Sequence, residues 1–350
     1  MEISLCMIIK DEQEVLDRCL SSFKDLVDEI IIVDTGSNDD SLKIASKYTN
    51  KIYQYKWNND FASARNYSIS KATKEYFMWV DADDYIKQSE KQKLQKLKET
   101  EDGSVDMYYF LYDFNKDYVP FYRERLIKNN KKYLFKGKIH EAIIPSNNRK
   151  YVDIKITQFD KQKGLTNRNL DIFESMKESE FTSRDYYYYG KELYRHNKLV
   201  KAKEILEKYI NLKDGYVEDK IDACYLLSLI YKKDNDIFKS LTTLYHSFIY
   251  DLPRTNILCE IGSTYFSLNE IEKAIYYYKL ALKCKKDSKS IILKDYYGYI
   301  PCIQLCVCYF KLNDINNSIK YNNLANTYKK DGKEYLYNKS FFEKLLKNKQ

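Results

Sequence analysis

The stretch Phe77 to Ile86, FMWVDADDYI, sets three carboxylates, Asp81, Asp83 and Asp84, directly behind a run of large apolar side chains. A second acidic turn, Asp34-Thr35-Gly36-Ser37, follows the apolar run Glu29 to Val33 (EIIIV). Two carboxylates separated by one residue as a chain leaves a strand can address a nucleotide and a divalent cation together. Hard oxygen ligands favour Mg2+ or Mn2+, which take diphosphate oxygens as further ligands and stabilise a departing diphosphate. A nucleotide sugar needs these two services, an acceptor for its base or ribose and a cation for its diphosphate. Each Asp taken alone reads equally as a turn residue or a helix cap. Asp84 could cap the helix that follows it, and Ser37 to Ser41 could cap one beginning near Leu42.

These carboxylates need strands to hold them, and the first 160 or so residues supply alternating strands and helices. Ile3 to Ile9, Glu29 to Val33, Lys51 to Trp57 and Tyr76 to Val80 read as strands, the first two as runs buried on both faces. Between them Glu14 to Phe23, Ser41 to Tyr48 and Phe61 to Ala72 have helical spacing. Such alternation predicts an α/β domain with a mainly parallel sheet, in which ligands bind beyond the carboxyl ends of the strands. Both acidic turns fall at those ends.

After Ser183 the period changes. Gly262, Tyr265, Ala274, Tyr278 and Ala281 place small and large residues as in a helical hairpin that turns at Ser267-Leu268-Asn269-Glu270. The pattern resembles the tetratricopeptide repeat, in which small residues let two helices approach closely. It recurs from Gly190 (with Leu193, Ala202, Leu206 and Tyr209), from Ser228 (Tyr231, Ser240, Leu244, Ser247) and from Cys306 (Tyr309, Ser318, Asn322, Ala325). The reading is thus an α/β domain over residues 1–180 and an all-α repeat domain over 181–350. Pro145 to about Ser183 reads as the connection, with Tyr151 to Phe159 as a strand and Leu170 to Met176 opening the helical portion. The Lys- and Asn-rich tail from Lys329 reads as a frayed, solvated helix. The tyrosines at 186–189 and 276–278 read as helix packing in preference to sugar stacking.

Composition sets outer limits. A net charge of +8 from 59 basic and 51 acidic residues in 350 falls short of a nucleic-acid-binding composition. It suits a phosphate-bearing small molecule or an anionic surface, and so leaves room for peripheral membrane contact. No apolar run approaches the roughly 18 residues of a membrane span, and the opening MEISLCMIIKDE lacks the features of a signal peptide. The eight cysteines form no CxxC pair, and Cys302, Cys306 and Cys308 read as buried free thiols. Reduced, cytoplasmic residence is the expectation.

Four segments in this order, LCMIIKDEQEVLDRCLSSF, DEIIIVDTGSNDDSLKIA, FASARNYSISKATKEYFMWVDADD and YLFKGKIHEAI, resemble the family 2 glycosyltransferases of the GT-A fold. More narrowly, they resemble a bacterial branch that joins this domain to tetratricopeptide-like repeats. The resemblance implies a nucleotide-activated sugar donor, usually a UDP-sugar, transfer with inversion, and Mn2+ or Mg2+ as cofactor. It places Asp34 at the base, Asp81 at the ribose with Ala82 beside it, and Asp83 on the metal. Arg65 would meet base or diphosphate, and Met7, Ile8, Lys10 and Glu12 would line the nucleotide pocket. Inversion needs a general base across the donor from the leaving group, and Glu141 of Gly137-Lys138-Ile139-His140-Glu141 stands at that place. His140 would be a metal or diphosphate contact, with a structural role as the other reading. Arg123 and Arg125 could meet phosphate or belong to a solvated edge strand. One departure is that many relatives carry His-x-Gly-Tyr where this chain reads Gln158-Phe159-Asp160-Lys161, which either weakens the metal set or shifts its load towards His140. Acceptors in the family include Cys, Ser and Thr of peptides and proteins, saccharides and lipid-linked glycans. A noncatalytic repeat scaffold with a vestigial nucleotide-sugar domain is the alternative. A nucleotidyltransferase fits less well, because no glycine-rich basic loop lies near the N-terminus.

Overall fold

Residues 1–114, 116–159, 164–286 and 291–347 are described by a computed structural model, so Asp160 and Lys161 of the departing motif lie outside the described residues. The chain divides into two units, Met1–Glu180 and Phe181–Gln350.

In the first unit the elements run β1 (Ile3–Ile9), α1 (Leu16–Phe23), β2 (Glu29–Asp34), α2 (Ser41–Ala45), β3 (Ile52–Gln54), α3 (Phe61–Ser70), β4 (Tyr76–Trp79) and β5 (Asp84–Ile86). They continue with α4 (Gln88–Thr100), β6 (Met107–Asp113), β7 (Phe121–Lys128), β8 (Phe135–Lys136), β9 (Ala142–Ile143), β10 (Arg149–Gln158) and α5 (Arg168–Ser175). Eight strands form one sheet in the order β3-β2-β1-β4-β7-β6-β10-β5, and β8 pairs with β9 in a separate hairpin. β1 to β4 are parallel, as their helical crossovers require. β7 enters antiparallel between β4 and β6, while β10 is parallel to β6 and antiparallel to β5. Tyr151 to Phe159 is thus part of an interior strand of the sheet, not a connection between domains.

Alternation along the strands builds a core on each face. Leu5, Met78, Phe110, Leu126 and Ile156 meet Leu16, Leu20 and Phe23 of α1 and Leu94 of α4. Buried positions 16, 19, 20 and 23 of α1 follow helical spacing, so the helix lies on the sheet by one stripe. Cys6, Ile31, Phe77, Trp79 and Ile127 form the other core with Ile69 of α3 and Phe135 of β8.

Three local expectations change. α2 ends at Ala45, and no side chain caps it; Ser41 Oγ instead accepts from the Glu12 amide and Ser37 Oγ from the Asp11 amide. Asp84 opens β5 and caps no helix, since α4 begins at Gln88 after Lys87. Arg125 is 0% exposed, because β7 is an inner strand and not a solvated edge.

The second unit is built of helical hairpins: α6 (Ser183–Arg195) with α7 (Leu199–Asn211), α8 (Val217–Lys233) with α9 (Ile237–His246), α10 (Thr255–Ser267) with α11 (Ile271–Ala281), and α12 (Tyr299–Lys311) with α13 (Ile315–Tyr328). α14 (Lys333–Lys347) follows. Each hairpin closes where its small residues lie. A Cβ on Gly190 would stand 2.6 Å from Leu206, and one on Gly262 2.9 Å from Tyr278. In the last hairpin Ser318 Oγ donates to the Cys306 carbonyl at 2.6 Å. Every hairpin turns through an Asn at positive φ, Asn197, Asn235, Asn269 and Asn313, at 56 to 62°. The next amide then bonds back to the last helical turn: Lys198 to Leu193, Asp236 to Tyr231, Glu270 to Tyr265 and Asp314 to Tyr309. That is a Schellman closure, in which Asn tolerates the left-handed position that a branched residue would not. The segment from Lys329 is more ordered than a frayed tail, for α14 buries Tyr335 and Phe342, and Asn338 donates to Asn322 Oδ1 at 3.1 Å. Tyr187, Tyr189 and Tyr278 are buried, consistent with packing, whereas Tyr276 is exposed. All eight cysteines are free thiols, and Cys284 alone among them is more than slightly exposed. No helix among the described residues is long and apolar enough to cross a membrane.

Candidate active site

Parallel pairing brings the acidic turns to one edge of the sheet. Ile9 lies opposite Asp34, and Cys6 opposite Trp79, so the chain leaves β1, β2 and β4 on the same side. The loops after β1 and β2 are sewn together: Asn38 N–H donates to Asp11 Oδ1 at 2.7 Å, Gln13 N–H to Asp39 at 3.0 Å, and Lys10 Nζ to the Gly36 carbonyl at 2.9 Å. Asp34 is 1% exposed and accepts from the amides of Gly36 and Ser37, at 3.2 and 3.1 Å. In this arrangement its carboxylate shapes the turn. Met7 is packed into the core at 1% exposure, whereas Ile8 is half-buried and Lys10 and Asp11 are exposed.

The centre of the site is an ion-pair bridge. In Ala64-Arg65-Asn66 of α3, Ala64 packs inward and the Asn66 side chain clamps Phe135 of β8, donating to its carbonyl at 3.0 Å and accepting from its amide at 2.9 Å. α3 starts on the side chain of Asp60, which accepts from Ser63 N–H at 2.9 Å. Arg65 thus stands between two elements, and it reaches both: Nε donates to Glu141 Oε1 at 2.5 Å and Nη2 to Asp81 Oδ1 at 2.6 Å. Glu141 and Asp81, far apart in the chain, share one guanidinium. Glu141 comes from the turn of the β8–β9 hairpin, where Gly137 (φ 94°) and His140 (φ 49°) both take left-handed conformations. The Lys138 carbonyl accepts from Phe61 N–H at 2.9 Å, tying this turn to the start of α3.

Behind the bridge, Arg125 and Asp84 form a fully buried pair at 2.9 Å, and Asp84 Oδ2 also accepts from Asp81 N–H at 3.0 Å. Burial raises the Asp84 carboxyl against the pull of Arg125. Burial works on Asp81 in the same sense, but Arg65, Arg125 and Arg123 overcome it and bring its pKa down to about 2. Asp81 is an anion at any working pH. Ala82 is buried beside it. Asp83 is half-buried and its Oδ2 accepts from Gln158 Nε2 at 3.2 Å, so Gln158 meets the carboxylate expected to hold metal. Cys19 Sγ of α1 donates to the Asp81 carbonyl at 3.5 Å and supports the turn from below.

Sequence reasoning missed Arg125–Asp84, the Asn66 clamp and the Gln158–Asp83 contact. The strand FYRERLIK alternates like an edge strand, and only its insertion between β4 and β6 buries Arg125. Asn66 sat inside a quoted motif, and its neighbour Arg65 was the signal.

The sequence model of glycosyl transferase family 2 matches residues 4–151, a span that includes Asp34, Arg65, Asp81, Asp83 and Glu141. A TPR repeat-containing protein of Synechococcus elongatus is 46% identical over 85 residues, 24% of this chain and 21% of that protein. The SPbeta prophage-derived glycosyltransferase SunS of Bacillus subtilis is 29% identical over 253 residues, 67% of this chain and 60% of that one. Among solved structures, S. aureus TarS is similar over 69% of this chain and 55% of its own, at 15% identity and a TM-score of 0.39. The chain therefore spans about a fifth and three fifths of the lengths of these two curated relatives. Residues 4–151 of this chain thus match glycosyl transferase family 2, and tetratricopeptide-like helical hairpins follow them.

Proposed function

We propose that this chain moves a sugar, with inversion, from a nucleotide-sugar donor, most simply a UDP-sugar, to a peptide, protein or glycan acceptor. The observation that carries the reading is the bridge Glu141–Arg65–Asp81 at the end of β4. One oxygen of Glu141 is held by Arg65, which orients the carboxylate and leaves Oε2 to take a proton from an attacking hydroxyl or thiol. Asp81, kept ionised, would accept from a ribose hydroxyl. Asp34 shapes the turn against which the base would lie, with Lys10 and Glu12 on the facing loop.

Among the described residues no three metal-ligating side chains converge on one point. A single half-buried carboxylate such as Asp83 suits Mg2+ or Mn2+ only in the mode where one or two protein groups act with substrate phosphates. Asp83 would supply the carboxylate, with His140 as the further candidate. The ion, when bound, would stabilise charge on the departing diphosphate. The helical hairpins are the natural holders of a peptide acceptor, since concave stacks of such repeats bind extended chains.

Glu141→Gln is the test. With an acceptor identified by mass spectrometry from a UDP-sugar panel, the variant should lose transfer by 10²-fold or more, the low end for a general base. UDP affinity, read by calorimetry, should stay within about threefold of the parent, equivalent to ~0.7 kcal/mol. Unchanged transfer would remove Glu141 from the role, and a chain that only binds peptides would give no heat with UDP and Mn2+.

A further inference from the structure

We propose that Arg123 is a diphosphate-binding residue of this site. The proposal rests on the transferase reading and deepens it, by naming the cation that meets the nucleotide's phosphates from the sheet. It follows from asking where each positive charge around the cleft is already spent.

Arg65 donates to both Glu141 and Asp81, so its one charge faces two carboxylates. Arg125 is fully buried against Asp84. Lys10 holds the Gly36 carbonyl on the exposed loop. Arg123 is different, for among the described residues its guanidinium makes neither a hydrogen bond nor an ion pair. Its central carbon lies over two rings, 4.5 Å from the centre of Trp79 and 5.8 Å from that of Tyr112, rings that Arg125 also faces, at 4.0 and 4.5 Å.

A guanidinium held over an aromatic ring still has N–H donors to offer a ligand. The platform is rigid, because Trp79 is 1% exposed and its ring meets Phe135 edge-on at 5.5 Å. A half-buried guanidinium with unspent donors beside a rigid ring is suited to charge-assisted contact with a phosphate. Its place is also right. β7 runs antiparallel to β4 with Leu126 opposite Met78, so stepping back along β7 from Leu126 to Arg123 is stepping forward along β4 past Trp79, towards Asp81.

The experiment compares the full-length chain with Arg123→Gln and Arg123→Lys by calorimetry in Mn2+. The probes are UDP, GDP, ADP, CDP and dTDP, each beside its monophosphate. For the diphosphate that the parent binds, Arg123→Gln should weaken affinity about ten- to a hundredfold, the range of a lost charge-assisted hydrogen bond. The matching monophosphate should change by less than about threefold, ~0.7 kcal/mol. Arg123→Lys should recover part of the loss. Should the Gln variant fail to fold, the Lys variant carries the same comparison with a smaller expected loss. Equal weakening of di- and monophosphate, or no weakening of either, would overturn the assignment while leaving the transferase reading intact. A parent chain that binds none of the five diphosphates would overturn both.

Discussion

Arg65 holds the base candidate and the ribose candidate on one planar group, and that contact joins α3, the end of β4 and the β8–β9 turn. The candidate residues of the site could be picked out one by one, because Asp34, Asp81 and Asp83 each follow an apolar strand and Glu141 lies in a quoted motif. Their partners were not. Arg65 and Glu141 are 76 positions apart, and no local spacing encodes their meeting. The Arg125–Asp84 pair was hidden for the same reason, since each residue alone looks solvated. Here a prediction belongs to the residue scale. Arg125→Met strands the Asp84 carboxylate in a buried site, and breaking a buried pair in this way costs about 3–5 kcal/mol of stability. Urea unfolding should show that loss, and adding Asp84→Leu should recover most of it, because two apolar groups need no charge compensation. A single variant within about 1 kcal/mol of the parent would mean that water already reaches the pair.

At the scale of elements, strong periodicity was readable and weak periodicity was not. β1, β2 and β4 stood out as short, continuously apolar runs, and the small residues of the helical hairpins stood out by their spacing. β6 (MYYFLYD) and β7 (FYRERLIK) did not, because their place in the sheet follows from pairing with distant strands rather than from local pattern. Short α2 shows how a tertiary contact overrides helical spacing, since Ser41 hooks the loop after β1 instead of capping. The hairpin turns carry a testable rule. Asn269 sits at φ 62°, a conformation that costs a branched residue roughly 1–2 kcal/mol. Thermal unfolding of Asn269→Val should therefore fall by that amount, whereas Asn269→Gly should match or exceed the parent. Equal stability of the Val variant would show that the turn relaxes to another conformation.

For the whole molecule, the change of period near Ser183 was the largest signal in the sequence, and the chain divides into Met1–Glu180 and Phe181–Gln350. The reading as a transferase depends on the first unit, where one sheet edge gathers an ionised Asp81, Asp83 beside Gln158, and Glu141 on Arg65. Under the proposed function an activated donor can also lose its sugar to water, so donor turnover is the expected readout before any acceptor is known. The decisive measurement is release of nucleoside diphosphate from a panel of UDP-sugars by the full-length chain in Mn2+ or Mg2+, beside Asp83→Ala. Steady release from at least one donor, lost by about a hundredfold or more in Asp83→Ala, is the expected result. The same release rate in Asp83→Ala would contradict the assignment of this acidic turn, and no release from any donor by either chain would contradict the transferase reading itself.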